Sequence, residues 1–566
     1  MTSSAPSSSD VVPTTLVVRL LLPLLEAYEA ENSTSGPGSP PNFADLMSLF
    51  PSDPDINNPR LPSSSTDIKN SASIGNKLEK LRDLVSLTLR HSVRTGSAGF
   101  LDKLYAGSDG VGAFGELLCA VLNTNVHVFS VSPVLSLMER ACIERLAQAC
   151  GFKPHASSGV FQPGGSASNL LAMTSARNLL FPQIKRVGLI KAGVSLAVFT
   201  SVESHYSIDK SCVVLGLGLH PETLVKIPTA APDSKTILTD NHHPMNPTAL
   251  ATAIRTAHAN SHKPFFVVLT AGTTVLSTFD NPAACVSAVR ACERDLGIRI
   301  WIHVDASYGG PVVFVPELRE QLMPGLESVD SVTISPHKIL GIPSQCSALI
   351  VNCSSERGWK KDSLWVANGL KADYLFHDTT TLTTGDFNEP DIPLDIGDAT
   401  IGCGRRADAL KLYLAWHVHG TDGFGARVSK AVNNVDTLAR LVLERRKFFH
   451  LVIPYSSNDY HYAGGRLSVS FWCLAPVLVQ QYGDLATFVA NESVETVYRV
   501  LRETTVKVHM EVAKRGKLMV DYMGIKWTGL PEFTRVAISS PAVNEEFLRM
   551  LVDEFEDVVR GVDVEI

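Results

Sequence analysis

Ten cysteines stand singly along the 566 residues, and no two form a C-x-x-C pair with zinc-finger spacing. Without such pairs there is no ligand set for a structural metal, and none is expected. Scattered through apolar segments, these cysteines read as buried free thiols of a reducing compartment, which predicts a cytoplasmic protein. A positive excess is missing as well. Lys and Arg number 50 against 57 Asp and Glu, a formal charge of −7, so nothing electrostatic favours nucleic acid. Long hydrophobic runs are absent too. The apolar stretch Leu16 to Leu25 contains Arg19 and Pro23 and falls short of the ~20 residues that cross a bilayer. The beginning of the chain has no positively charged n-region, which argues against a secretory signal, and there is no internal repeat. What is present is the composition of a globular chain, 45% hydrophobic and 19% charged, long enough for two lobes.

Val11 to Ala30 reads as an amphipathic helix suited to packing on a partner subunit, since it lacks the basic face of a membrane-surface helix. Glu31 to Ser73, rich in Ser, Pro, Asn and Gly, has linker composition, and the folded body is expected from about Lys77. Further on, Val194–Thr200, Phe265–Thr270, Ile300–Val304, Ser331–Ile334 and Ala348–Val351 read as buried strands. Helical stretches at Ser168–Leu180, Ser207–Leu215, Pro247–Asn260 and Pro282–Leu296 lie between several of them. Apolar strands separated by helices predict an α/β sheet covered on both faces. Beyond Arg405 two long helices are expected, Ala407–His419 and Gly423–Phe449, and then a smaller α+β lobe. The expected division is 1–75 (N-terminal helix and flexible segment), 76–125 (a helical dimerisation segment), 126–430 (the large domain) and 431–566 (the small one).

Five short motifs carry candidate chemistry. S-P-H-K, Ser335 to Lys338, follows a predicted strand, where a lysine can reach a crevice at the sheet edge and form a Schiff base. H-V-D-A, His303 to Ala306, ends another strand. An aspartate there needs a partner such as a pyridinium N–H, unless it merely caps the next loop. P-G-G-S-A-S-N, Pro163 to Asn169, opens a helix and could cradle a phosphate. S-H-Y-S-I-D-K places His205 at a strand-to-helix junction, and A-G-T-T, Ala271 to Thr274, offers hydroxyls at a further strand end. Singly, each has an ordinary structural explanation; their order does not.

In that order, with the blocks G-F-L-D-K-L-Y-A-G, V-S-P-V-L-S-L-M-E, Q-C-S-A-L-I-V, C-G-R-R-A-D and R-V-A-I-S-S-P, the chain resembles the group II pyridoxal-phosphate amino acid decarboxylases. It is most similar to the glutamate, aspartate and cysteine sulfinate branch, from about Leu81 to Asp557. The resemblance implies an aspartate-aminotransferase-like (fold type I) architecture, pyridoxal 5′-phosphate as cofactor and a homodimer with sites at the subunit interface. It also implies roles. Lys338 carries the cofactor, Asp305 pairs with the pyridine nitrogen and His205 stacks on the ring. Ala167, Ser168 and His337 lie at the phosphate, Thr274 and Ser307 line the ring, and Arg535 holds the substrate carboxylate. Lys338, Asp305 and His205 are thus the expected catalytic residues.

Three departures qualify the resemblance. Ser335 stands where many relatives have asparagine, and Ser307-Tyr308-Gly309 follows the aspartate. Animal relatives reprotonate Cα with a loop tyrosine; no tyrosine occurs from Leu375 to Leu412, where alignment places Pro390, and His377 is the substitute donor expected. In the substrate region, Lys103 and Tyr105 replace glutamine and serine of the glutamate enzymes, predicting aspartate or cysteine sulfinate over glutamate unless Lys103 faces solvent. The expected activity is therefore α-decarboxylation of a small acidic L-amino acid. Oxidative decarboxylation–deamination to an aldehyde, an aromatic substrate and a catalytically inactive dimer partner are the alternatives.

Overall fold

The computed structural model describes residues 71–566 except 230–243, 355, 357, 371, 373, 377–392, 454, 457–460, 463–465 and 526–529, together with a few positions between 22 and 36. Seven strands form the central sheet: β1 (Ser157–Gln162), β2 (Leu196–Ser201), β3 (Leu224–Ile227), β4 (Lys263–Thr270), β5 (Trp301–Ala306), β6 (Ser331–Ile334) and β7 (Ser347–Asn352). Their spatial order is β1-β7-β6-β5-β4-β2-β3. All run parallel except β7, which is antiparallel to both its neighbours. The strands β2, β5, β6 and β7 are buried at every position, as a sheet with helices on both faces requires.

The crossover helices begin and end where local chemistry dictates. Asn246 caps Pro247–Ala259 by accepting from the N–H groups of Thr248 and Ala249, and Asn281 caps Pro282–Leu296 through Ala284 N–H. Proline at the first turn costs no hydrogen bond there, and Gly297 (φ 63°) ends the second helix in the left-handed conformation.

The four strands of the smaller sheet are β8 (Phe449–Leu451), β9 (Ser468–Cys473), β10 (Asp521–Ile525) and β11 (Leu530–Ala537), in the antiparallel order β10-β11-β9-β8. The two helices expected after Arg405 are present within Asp408–Glu444 and part at Gly420 (φ 68°, ψ 177°), but Phe449 opens a strand instead of closing the second helix. Glycine makes that break possible, because a side chain at such φ is strained. Up to Val432 the helix packs in the core beneath the large sheet; from Val435 it packs in that of the small one. The folded body starts earlier than composition suggests, since a helix spans Ser71–His91. Of the segment Val11 to Ala30, only scattered positions from 22 onward are described, and these are helical and exposed.

Arg405, in the C-G-R block, explains why that block matters. Its guanidinium donates to the carbonyls of Val126 (2.7 Å) and Phe161 (3.1 Å) and to Glu139 Oε1 (2.5 Å), which also accepts from Phe161 N–H. The pair is almost fully buried and fastens β1 to the helix Pro133–Ala149. Arg405→Met is expected to cost about 3–5 kcal/mol, because Glu139 is left as a buried charge without its cation. A denaturation midpoint unchanged from the parent protein would refute this.

Candidate active site

Every strand-end motif meets at one edge of the large sheet. Lys338 lies in the turn after β6, with its Nζ 5.8 Å from the centre of the Tyr308 ring. Burial pushes its ammonium below the usual lysine range, against the pull of Asp305. A larger fraction of neutral amine is what a Schiff-base lysine requires. Tyr308 itself is locked, its hydroxyl donating to the Leu467 carbonyl at 2.9 Å.

Asp305 sits at the end of β5 and is 5% exposed. Its Oδ1 accepts from Ser307 Oγ (2.6 Å) and Ser307 N–H (3.1 Å), and its Oδ2 from Asn169 Nδ2 (2.7 Å). Burial works to raise its pKa, but the Ser307 hydrogen bond, together with Lys338, His303 and His205, outweighs it and holds the carboxyl below the ordinary aspartate range. The site therefore keeps a buried anion facing a half-buried lysine. His205, at the junction after β2, is half-buried, and its Nδ1 accepts from Ser207 N–H at 3.2 Å, so Nε2 carries the proton. Burial lowers its pKa, opposed by Asp305.

The phosphate-loop motif also follows a strand, β1, which is not among those expected from the sequence. Gly164 (φ 100°) turns the chain into the helix Gly165–Leu180, whose first N–H groups have no carbonyl within the helix to bond. A Cβ on Gly165 would collide with Ser307 Oγ, so the loop lies directly against the Asp305 turn. Ala167 and Ser168 form the first turn, and Ser168 Oγ is 3.0 Å from Ser347 Oγ. Ser347 in turn accepts from Ser335 Oγ at 3.1 Å. His337 Nδ1 bonds the Cys346 carbonyl at 2.5 Å, which directs its Nε2 elsewhere; burial lowers its pKa to about 4. The residues fit pyridoxal phosphate: a neutral-leaning lysine, an ionised carboxylate for a ring nitrogen, and a glycine-opened helix N-terminus for a phosphate.

The substrate candidates are placed less simply. Arg535, on β11, is 2% exposed and donates to the carbonyls of Thr274 (2.6 Å) and Asp102 (2.5 Å) and to Asp521 Oδ2 (3.0 Å), while its Nε has no partner among the described residues. Lys103 Nζ pairs with Asp102 (2.9 Å) and Asp521 (3.5 Å). Tyr105 is exposed, its ring 5.6 Å from that of Phe100. Thr274 thus meets Arg535 through its backbone. His377 and Pro390 lie outside the described residues. Asn169, His303 and Asp521 also belong to this site, although the motifs assign them no role. The signal for His303 is present in the sequence: in W-I-H-V-D it shares a strand face with Asp305.

The fold is that of the fold type I pyridoxal-phosphate enzymes. More narrowly, the chain belongs to the pyridoxal-dependent decarboxylase family, whose conserved domain matches residues 62–461, and it uses pyridoxal 5′-phosphate as cofactor in amino acid decarboxylation. It is 38% identical over 380 residues to the L-aspartate decarboxylase dtxS4 of Metarhizium robertsii, covering 67% of this chain and 68% of that one. Human cysteine sulfinic acid decarboxylase is 32% identical over 489 residues, 86% of each chain. The crystal structure of mouse CSAD superposes with a TM-score of 0.78 at 27% identity, covering 98% of this chain and 100% of that one. Oryza sativa TDC with PLP and tryptamine shares the fold, with a TM-score of 0.75 at 20% identity over 99% of both chains.

Proposed function

We propose that the protein removes the α-carboxyl group of a short acidic L-amino acid, aspartate or cysteine sulfinate before glutamate, releasing carbon dioxide and the amine. The observation that carries the reading is the juxtaposition of Lys338, with its depressed pKa, and the buried, ionised Asp305. The aspartate and cysteine sulfinate decarboxylases among its relatives support the substrate class. Bound pyridoxal phosphate supplies the electron sink. Lys338 would hold the cofactor, and Asp305 would keep its ring nitrogen protonated. His205, Thr274 and Ser307 would contact the ring, and the helix N-terminus at Ala167 and Ser168, with His337, would hold the phosphate.

Asp102, Lys103, Asp521 and Arg535 form a neutral cluster of two cations and two anions. An incoming substrate acid group competes with Asp521 for Lys103 and for Arg535, and Tyr105 limits the depth available. Aspartate or cysteine sulfinate should exceed glutamate in kcat/KM by at least about tenfold, the low end of what one methylene confers in a pocket. Lys103→Gln combined with Tyr105→Ser should narrow the gap. Should tyrosine or tryptophan prove the best substrate in the same panel, the acidic-pocket reading fails. Assaying ammonia and peroxide beside carbon dioxide separates amine from aldehyde formation, the outcome that the missing tyrosine between Leu375 and Leu412 favours as second choice.

The working unit is proposed to be a homodimer. Phe114, Leu117 and Val121 recur at helical spacing on Gly110–Leu122 and are exposed, as are Val131, Val134 and Leu137, which suits an apolar face covered by a second copy. All ten cysteines are free, in keeping with a cytoplasmic location. No helix among the described residues is long and apolar enough to cross a membrane.

A further inference from the structure

Trp301, His303 and Asp305 alternate along β5 and so share one face of it. On the adjacent β6, Ser331 pairs in register with His303, and Thr333 with Asp305. Asn169, from the helix Gly165–Leu180, covers this face. His303, Ser331 and Thr333 are fully buried, and Asn169 is 1% exposed. None of these side chains is accounted for by binding the cofactor directly. A buried polar group is costly unless satisfied, so a connected set of them requires a reason.

The chain of bonds has one direction, and the donor inventory fixes it. A carboxylate only accepts, so the Asn169 group 2.7 Å from Asp305 Oδ2 is the amide nitrogen. The second amide hydrogen goes to Ser207 Oγ at 3.1 Å. Asn169 Oδ1 is then left for His303 Nε2 at 3.0 Å, and an amide oxygen cannot donate, so Nε2 carries the proton. Thr333 Oγ1 stands 3.3 Å from the same nitrogen. Burial lowers the His303 pKa to about 4, which makes the ring neutral near pH 7 and its Nδ1 bare. That nitrogen accepts from Ser331 Oγ at 2.7 Å. The same Oγ accepts from Trp301 Nε1 at 2.7 Å, which turns its hydrogen toward His303. From Trp301 through Ser331, His303 and Asn169, each link donates toward Asp305. Two donors occupy Oδ1 and one occupies Oδ2, so of the carboxylate's roughly four acceptor sites one on Oδ2 remains.

We infer that Asn169 and His303 are positioning residues that hold Asp305 ionised and aimed, through a one-way hydrogen-bond chain that starts at Trp301. The inference rests on the reading that Asp305 meets the pyridine nitrogen. The chain leaves one acceptor site open for the ring N–H, and it denies Asp305 a proton from the protein side.

Two experiments test it. In cofactor-free protein labelled with 15N at histidine, the His303 signal, assigned by its shift in Trp301→Phe, should show Nε2 protonated and Nδ1 bare at neutral pH. A proton on Nδ1, alone or with Nε2, overturns the chain whatever Asp305 binds. The second is a double-mutant cycle in the holoenzyme. His303→Phe should lower kcat about ten- to a hundredfold, within the coupling range of residues in one network, with KM little changed. In an Asp305→Asn background the same change should cost no more than about twofold, since the charge it supports is gone. If the two losses multiply, His303 acts through packing alone and the inference fails. Asp305→Asn by itself matching the parent enzyme sinks the pyridine-nitrogen reading instead, and the histidine spectrum then decides whether the chain exists.

Discussion

Lys338→Ala should leave a folded protein that has lost both the absorbance of the bound cofactor and all turnover. The substitution removes an amine at the sheet edge whose environment lowers its pKa, and a covalent role has no substitute when its nucleophile is absent. Folding should survive, because deleting a buried ammonium relieves a desolvation cost. The absorbance spectrum and carbon dioxide release of the purified variant, with its size by light scattering, make the measurement. Turnover comparable to the parent enzyme would place the chemistry elsewhere.

Asp305→Asn should keep the cofactor bound and lower turnover by at least about a hundredfold, the scale of losing one preorganised electrostatic partner. The amide retains an oxygen for Ser307, so the local turn is preserved. It loses the negative charge that favours a protonated ring nitrogen, and it sets an amide nitrogen against the donor of Asn169. A variant within a few-fold of the parent in kcat would reduce Asp305 to a cap of its own turn.

Much of the fold and site is legible in the sequence, for physical reasons. The five strands expected between Val194 and Val351 are present because their apolar runs have no other way to be buried than in a two-sided sheet. Four of the motifs are placed at strand ends by the apolar runs just before them. The strand β1 is not legible, because S-S-G-V-F-Q is half polar and its burial comes from pairing with β7, a partner nearly two hundred residues away. The break between the two helices after Arg405 is legible because H-V-H-G-T-D-G carries Gly420, the residue whose positive φ separates them. Lys103 shows the limit most clearly. Its charge suggests a ligand for a substrate acid, but its partners Asp102 and Asp521 lie one and 418 residues away, and only folding brings Asp521 near. The role of His303 is hidden differently: the alternation of W-I-H-V-D is visible, but Ser331 and Asn169, which give the histidine its direction, come from other elements.

Because β7 runs against its neighbours, it begins at the edge where β6 ends, and the residues between Ile334 and Ser347 return directly, without a helix on the outer face. Lys338 therefore hangs from a short tether with both ends fixed in the sheet, and its backbone N–H is stapled further to the Ser335 carbonyl at 3.1 Å. So brief a leash confines Nζ to a small search volume, and the amine behaves as a reagent at high local concentration. Effective molarities of about 10⁵ M and above belong to reactants oriented in this way. A parallel seventh strand would have needed its connection to cross back over the outer face of the sheet, and the segment that bears the nucleophile could not have stayed at the edge where β6 ends.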